Sequence, residues 1–162
     1  MSATDIVTIG MGPGTLTGII TKGLTGSIAE SGLTFSGNGV EITNGAVVSA
    51  TTGTQWPDLF LNDGLSYRQF DVTNTAADSR IIQSVTFDPV SKFSTVVNPG
   101  TIAAGATERL LIALTPDAAG TYSSIVTLTI TGYVSHSFSL AGTVSSLDPT
   151  RNADGRRPLG FV

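Results

Sequence analysis

Between Phe70 and Val144, short runs of β-branched and aromatic residues alternate with Gly, Pro, Asn and Asp. Such runs suit the half-buried pleated surface of a strand, and the residues between them turn the backbone. Residues 98–144, NPGTIAAGATERLLIALTPDAAGTYSSIVTLTITGYVSHSFSLAGTV, show the pattern best. A turn-rich lead-in is followed by a strand, a Pro-Asp-Ala-Ala-Gly turn and two long strands. The chain is expected to be all-β.

The runs RIIQSVTF, FSTVV, ERLLIAL, YSSIVTLTI and YVSHSFSL recur at a sandwich-like spacing. Side chains alternate between the two faces of a strand, so parity assigns a core. One expected inward set is Tyr122, Ser124, Val126, Leu128 and Ile130, with Thr127 and Thr129 opposite. Leu110, Ile112 and Leu114 form another, and Val134, His136, Phe138 and Leu140 a third. Rows of Ser and Thr remain outside, uncharged and suited to lateral packing. PDLFLNDGLSYRQFDVTNT is expected to form a hairpin around Asn62-Asp63-Gly64. The resulting fold class is an immunoglobulin-like β-sandwich over residues 56–144, with an extended Gly/Thr-rich N-terminal β region and a C-terminal arm.

Residues 1–55 hold more than half of the 19 glycines, many Thr and Ser, and Lys22 as their one basic residue. DIVTI, TLTGIIT, VEIT and AVVSA read as short strands between Gly turns. Isolated strands leave edges unsatisfied, so this arm or small sub-domain should pair with the sandwich, a second subunit or a partner. Residues 145–162 are polar and close on Leu159, Phe161 and Val162. They are expected to form an extended arm whose apolar end inserts into a neighbour, the alternative being a disordered terminus.

Composition excludes several chemistries. The chain has no cysteine, so disulfides, thiolate nucleophiles and Cys-based zinc sites are ruled out. Charged residues make up 12% of the sequence, against about 25% in ordinary soluble domains. So little charge fits a surface covered by other protein. The net charge is −4, and no basic patch exists outside Arg151, Arg156 and Arg157, which argues against nucleic-acid binding. No apolar run is long enough to span a bilayer as a helix. The opening MSATDIVTIG has an Asp where a secretion signal needs positive charge, so the chain is expected to be made and kept in a cytoplasm.

Candidate chemistry is sparse. In IGMGPGTLTG the Gly10/Gly12 spacing would need Gly or Ala at Thr15, and a strand rather than a helix follows, so a phosphate loop is not expected. DPTRNADGR places Asn152, Asp154 and Gly155 like the middle of a calcium loop, but lacks the closing Glu. His136 is the one histidine and is expected in the core or at a strand end. No Gly-x-Ser-x-Gly elbow is present. Asp58, Asp63, Asp71, Asp78, Asp88 and Asp117 fall mostly at turns, and their spacing nominates no acid/base pair. No catalytic residue, cofactor or metal is therefore expected. Trp56, Tyr67 and Tyr133 would serve a carbohydrate site only if exposed and clustered.

FDVTNTAAD, GTIAAGATERLLIALTPDAAGTYSSIVTLTI and FSLAGTV resemble the Ig-like domains of bacterial choice-of-anchor surface proteins and the ciliary and centrosomal ASH-type domains. The resemblance covers about half the chain and implies a scaffold fold. DIVTIGMGPGTLTGIITKGL looks like the opening of small structural proteins of tailed bacteriophages. That likeness implies a non-enzymatic virion protein assembled in the host cytoplasm, decorating or cementing a capsid through its arms. Its implied partners are the major capsid protein or neck and tail proteins, with a homo-oligomer expected and neither nucleic acid nor membrane as partner. Ile6, Ile9, Leu16, Ile19, Ile20, Arg156, Arg157, Leu159, Phe161 and Val162 are the expected arm contacts. The alternatives are a neck or tail accessory protein, or a carbohydrate or host-surface binding module.

Overall fold

The structure, a computed structural model, describes residues 29–61 and 63–146, together with the backbone pairing of residues 9–10 and 15–16. Two short strands, β1 (Ile9–Gly10) and β2 (Thr15–Leu16), pair with each other. The remaining strands form two five-stranded sheets. Sheet I runs β4 (Val40–Glu41), β3 (Leu33–Gly37), β6 (Ser66–Asn74), β10 (Thr107–Leu114), β8 (Phe93–Val97). Sheet II runs β5 (Leu59–Phe60), β12 (His136–Ser145), β11 (Gly120–Ile130), β7 (Arg80–Asp88), β9 (Thr101–Ile102). All pairings are antiparallel except β5 with β12. The molecule is an all-β sandwich.

Parity places most of the core; of the expected inward sets, Tyr122, Val134 and His136 are only half-buried, and Val134 precedes β12. Val126, Leu128 and Ile130 of β11 are buried against Phe138 and Leu140 of β12, and Leu110, Ile112 and Leu114 of β10 face them. Ser124 is also inward, and its hydroxyl is satisfied by donating to Pro89 O at 2.9 Å. Trp56 is fully buried, edge-on to Phe93 with ring centroids 5.0 Å apart. Gly142 makes room for it: a Cβ there would lie 2.6 Å from Leu114 Cδ2 and 3.0 Å from Trp56 Cβ.

Two expectations are corrected. First, residues 55 and 56 do not separate an arm from the sandwich, because β3 pairs along β6 from Leu33↔Asn74 to Gly37↔Phe70. The inward side chains of β3, Leu33 and Phe35, join the common core, so burial draws this segment into sheet I. Second, Asp63 does not head a hairpin, since β5 and β6 lie in opposite sheets. A turn does form there, with Phe60 N donating to Asp63 Oδ2 at 2.8 Å, but it carries the chain from one sheet to the other. The tight Asn-Gly hairpin is instead Asn38-Gly39 between β3 and β4, where both residues adopt positive φ (52° and 76°). That is the signature of a type I′ turn.

Between β4 and β5 the chain crosses to the outer edge of β12 and covers it. Gly45 N donates to Ser137 O at 2.7 Å, Ser139 N to Ala46 O at 2.9 Å and Ala141 N to Thr54 O at 3.1 Å. Trp56 N then donates to Ala141 O at 2.8 Å, and Leu61 N to Ser145 O at 3.2 Å. A long strand edge is thereby sealed by irregular backbone.

Candidate interaction surfaces

One end of the sandwich is locked by polar side chains. Arg80, 8% exposed, donates through Nε to Ser31 O at 2.5 Å and pairs with Asp78 at 2.6 Å. Its guanidinium lies 4.3 Å from the centroid of the Tyr133 ring. Asn74 is fully buried, and its amide donates to Asp78 O, Ile102 O and Ala103 O at 2.8, 3.0 and 3.2 Å. Its Oδ1 accepts from Ala76 N at 3.0 Å. All of the side-chain amide's main bonds are spent inside the fold, so this Asn is a structural residue.

The two broad outer faces are nearly uncharged. On sheet II the outward row pairs Ser123 with Ala141, Ile125 with Ser139 and Thr127 with Ser137. No Asp, Glu, Lys or Arg occurs in β11 or β12. A shallow cleft of about 350 Å³ lies on this face, lined among others by Val48, Asp88, Pro89, Ile125 and Ser139. Val47 and Val90, next to two of these residues, are 78% and 90% exposed. On sheet I, Tyr67 and Gln69 of β6 stand beside Ala113 and Leu111 of β10, and Leu111 beside Val97 of β8. Tyr67, Val96 and Val97 are exposed there. Charge returns along the row Glu41, Ser36, Asp71 and Arg109, which are successive cross-strand partners.

The titratable groups are dispersed. Asp78 is taken by Arg80, and Asp117 pairs with Lys92 at 2.9 Å. Gln69 Nε2 donates to Asp71 at 2.8 Å. Hydrogen bonding to Asp117 and its charge raise the Lys92 pKa. Among the described residues no three His, Asp or Glu side chains are grouped to hold a metal ion. His136 sits at the start of β12, where burial lowers its pKa to about 4 against a weaker opposing hydrogen bond that its imidazole donates to the Ile42 backbone carbonyl.

The arm residues named from sequence lie outside the described side chains: Ile6, Ile19, Ile20, Arg156, Arg157, Leu159, Phe161 and Val162 entirely, while Ile9 and Leu16 appear only as paired backbone. The three candidate stacking aromatics are not brought together. Trp56 is in the core, Tyr133 packs under Arg80, and Tyr67 alone stands open on sheet I. The run FSTVV is strand β8, as expected from sequence, but its place at a sheet edge and the exposure of Val47 and Val90 were not legible, because a valine run at an edge has no distinguishing local pattern.

Comparison with solved structures places this arrangement. The ASH/PapD-like domain 7 of human CEP192 aligns with a TM-score of 0.55 at 10% identity, over 86% of this chain and 100% of that one. The fold is a PapD-like, immunoglobulin-like β-sandwich. At 10% identity the likeness concerns the fold alone. A Porphyromonas gingivalis W83 protein of unknown function aligns at a TM-score of 0.48 and 15% identity, over 74% of this chain and 50% of that one. The Vibrio cholerae VesB protease aligns at 0.43 and 16%, over 71% of this chain and 32% of that one. The chain thus spans half or less of these two proteins, and the weak alignments carry nothing about activity. No family model and no curated protein matches the chain.

Proposed function

We propose that this protein is a non-enzymatic structural module that works by protein–protein contact, as a virion component decorating or cementing a phage capsid. The carrying observation is the surface of the PapD-like sandwich. Both broad faces lack charge over most of their area and expose Ile125, Tyr67 and Val97, and Val47 and Val90 are exposed in the segments next to the cleft-lining Val48 and Pro89. Apolar, uncharged surface of this kind favours contact with other protein. The virion assignment draws its support from the sequence likeness of residues 5–24 to small phage structural proteins, and its arm contacts would be the residues named above. A neck or tail position is the alternative within the same reading.

Quantitative mass spectrometry of particles purified from the source culture tests this. A copy number near that of the major capsid protein is expected for decoration. A small fixed fraction would move the protein to the neck or tail, and absence from particles would sink the virion reading.

A further inference from the structure

Asparagine is a chemically labile residue, most of all before glycine. The backbone nitrogen that follows it, once stripped of its proton, can attack the side-chain amide carbon and close a cyclic imide. Glycine has no Cβ to hinder that approach. The chain has two Asn-Gly dipeptides, Asn38-Gly39 and Asn44-Gly45. Both are exposed, both glycines have positive φ (76° and 78°), and a Cβ on either would meet nothing within 4 Å. Local sequence does not separate them, but their hydrogen bonds do.

At Asn44 both reacting groups are held. Gly45 N donates to Ser137 O at 2.7 Å, and Asn44 Oδ1 accepts from Ser137 N at 2.8 Å and Ser137 Oγ at 3.3 Å. A hydrogen-bonded amide gives up its proton only when that bond opens. At Asn38 the nucleophile is free. The hairpin is closed by the Gly37↔Val40 pair, and Gly39 N has no acceptor among the described residues. The Asn38 side chain is held by long bonds alone, with Nδ2 donating to Ala50 O at 3.5 Å and to Thr51 O at 3.3 Å.

We infer that Asn38 is a site of spontaneous modification, at which water converts the folded protein to its aspartate and isoaspartate forms, while Asn44 is protected. Hydroxide takes the Gly39 amide proton, and the nitrogen attacks Asn38 Cγ. The new C–N bond forms as the Cγ–Nδ2 bond breaks, and Nδ2 leaves as ammonia with a proton from water. Water then opens the imide. Attack at the side-chain carbonyl leaves aspartate, and attack at the backbone carbonyl leaves isoaspartate, with the main chain routed through the side chain. The product alters a contact. The Asn38 amide packs over Gly53, where a Cβ would lie 3.0 Å from Nδ2, and ties the β3–β4 hairpin to the turn at residues 49–54. A carboxylate has no hydrogen to donate and sets negative charge against the Ala50 and Thr51 oxygens. The turn's own bonds, Gly53 N to Ala50 O and Gln55 N to Ser49 O, both 3.1 Å, should then open more often.

Ageing the full chain at mildly alkaline pH, with peptide mapping by tandem mass spectrometry, tests this. Asn38 should convert about tenfold or more faster than Asn44 in the folded chain, because the bonds around Gly45 must break first. In urea both sites should convert, and the folded-state rate at Asn38 should rise with pH, since the amide must lose its proton. Hydrogen exchange of freshly made Asn38→Asp should show faster exchange at Gly53 and Gln55 than in wild type, with β10 and β11 unchanged. Conversion of Asn44 at the same rate as Asn38 in the folded chain would overturn the inference. So would an Asn38 that stays intact when folded but converts in urea. Unaltered exchange in Asn38→Asp would sink the loosening of the 49–54 turn.

Discussion

His136 lies flat on Phe35, with ring centroids 3.9 Å apart and planes inclined by 18°, while Phe138 meets its edge at 6.1 Å. Its Nε2 is buried and has no hydrogen-bond partner. The imidazole is thus held neutral between aromatic rings, which accounts for a pKa near 4 in place of 6.5. Between these two values the unfolded chain takes up a proton that the folded chain refuses. Stability should therefore be level above about pH 6.5 and fall as pH drops toward 4, by on the order of 2 kcal/mol from this group. Urea denaturation at a series of pH values measures it. His136→Phe should remove that part of the slope while keeping the stack; an unchanged slope would show that carboxylates carry it instead.

Asn74→Ala should be among the most destabilising single changes. It strips the donor from the buried Ile102 carbonyl and the partly buried Asp78 and Ala103 carbonyls, and the acceptor from Ala76 N. Unsatisfied buried groups cost about 1–3 kcal/mol each, so a loss of about 3 kcal/mol or more is expected in the denaturant midpoint. Asn74→Asp should not rescue it, because a carboxylate cannot donate to those carbonyls.

Gly142→Ala tests the packing between the sheets. The added methyl meets Leu114 and the Trp56 Cβ inside van der Waals distance. A loss of about 1–3 kcal/mol is expected. Trp56 is the one tryptophan, so its emission reports the same site directly. Wild-type spectrum and stability in the variant would mean that the sheets separate more easily than this packing implies.

Arg80→Lys separates charge from geometry at the sandwich end. Lysine keeps the positive charge beside Asp78 but loses the planar group over Tyr133 and the directed bond to Ser31 O. A cost of about 1–3 kcal/mol is expected by thermal denaturation, with Arg80→Ala costing more. Equal stability of the Lys variant and wild type would reduce the site to a simple ion pair.

Much of the fold was legible in the residues themselves. The period-two alternation of β10, β11 and β12 marks Leu110, Ile112, Val126, Leu128, Phe138 and Leu140 as core, and all six are buried there. Asn-Gly at positions 38 and 39 was equally legible as a hairpin, yet the Asn-Asp-Gly at 62–64 drew that reading. The difference lies in what flanks each turn. Ser36 and Glu41 can pair across Asn38-Gly39, whereas Leu59 is already committed beside Val144.

Local chemistry alone determined that this chain makes strands, which side chains turn inward, and that no thiol or multi-histidine chemistry is available to it. Those properties follow from backbone sterics and side-chain parity over a few residues. Tertiary structure alone decided that β3 belongs to the sandwich, that residues 44–61 seal β12, that Arg80 and Tyr133 meet, and that β8 ends sheet I with no further strand paired to it among the described residues. Each of these joins segments distant in sequence. Such pairings are chosen by which burial and backbone bonding the whole chain can satisfy at once, and no local run of residues records that choice.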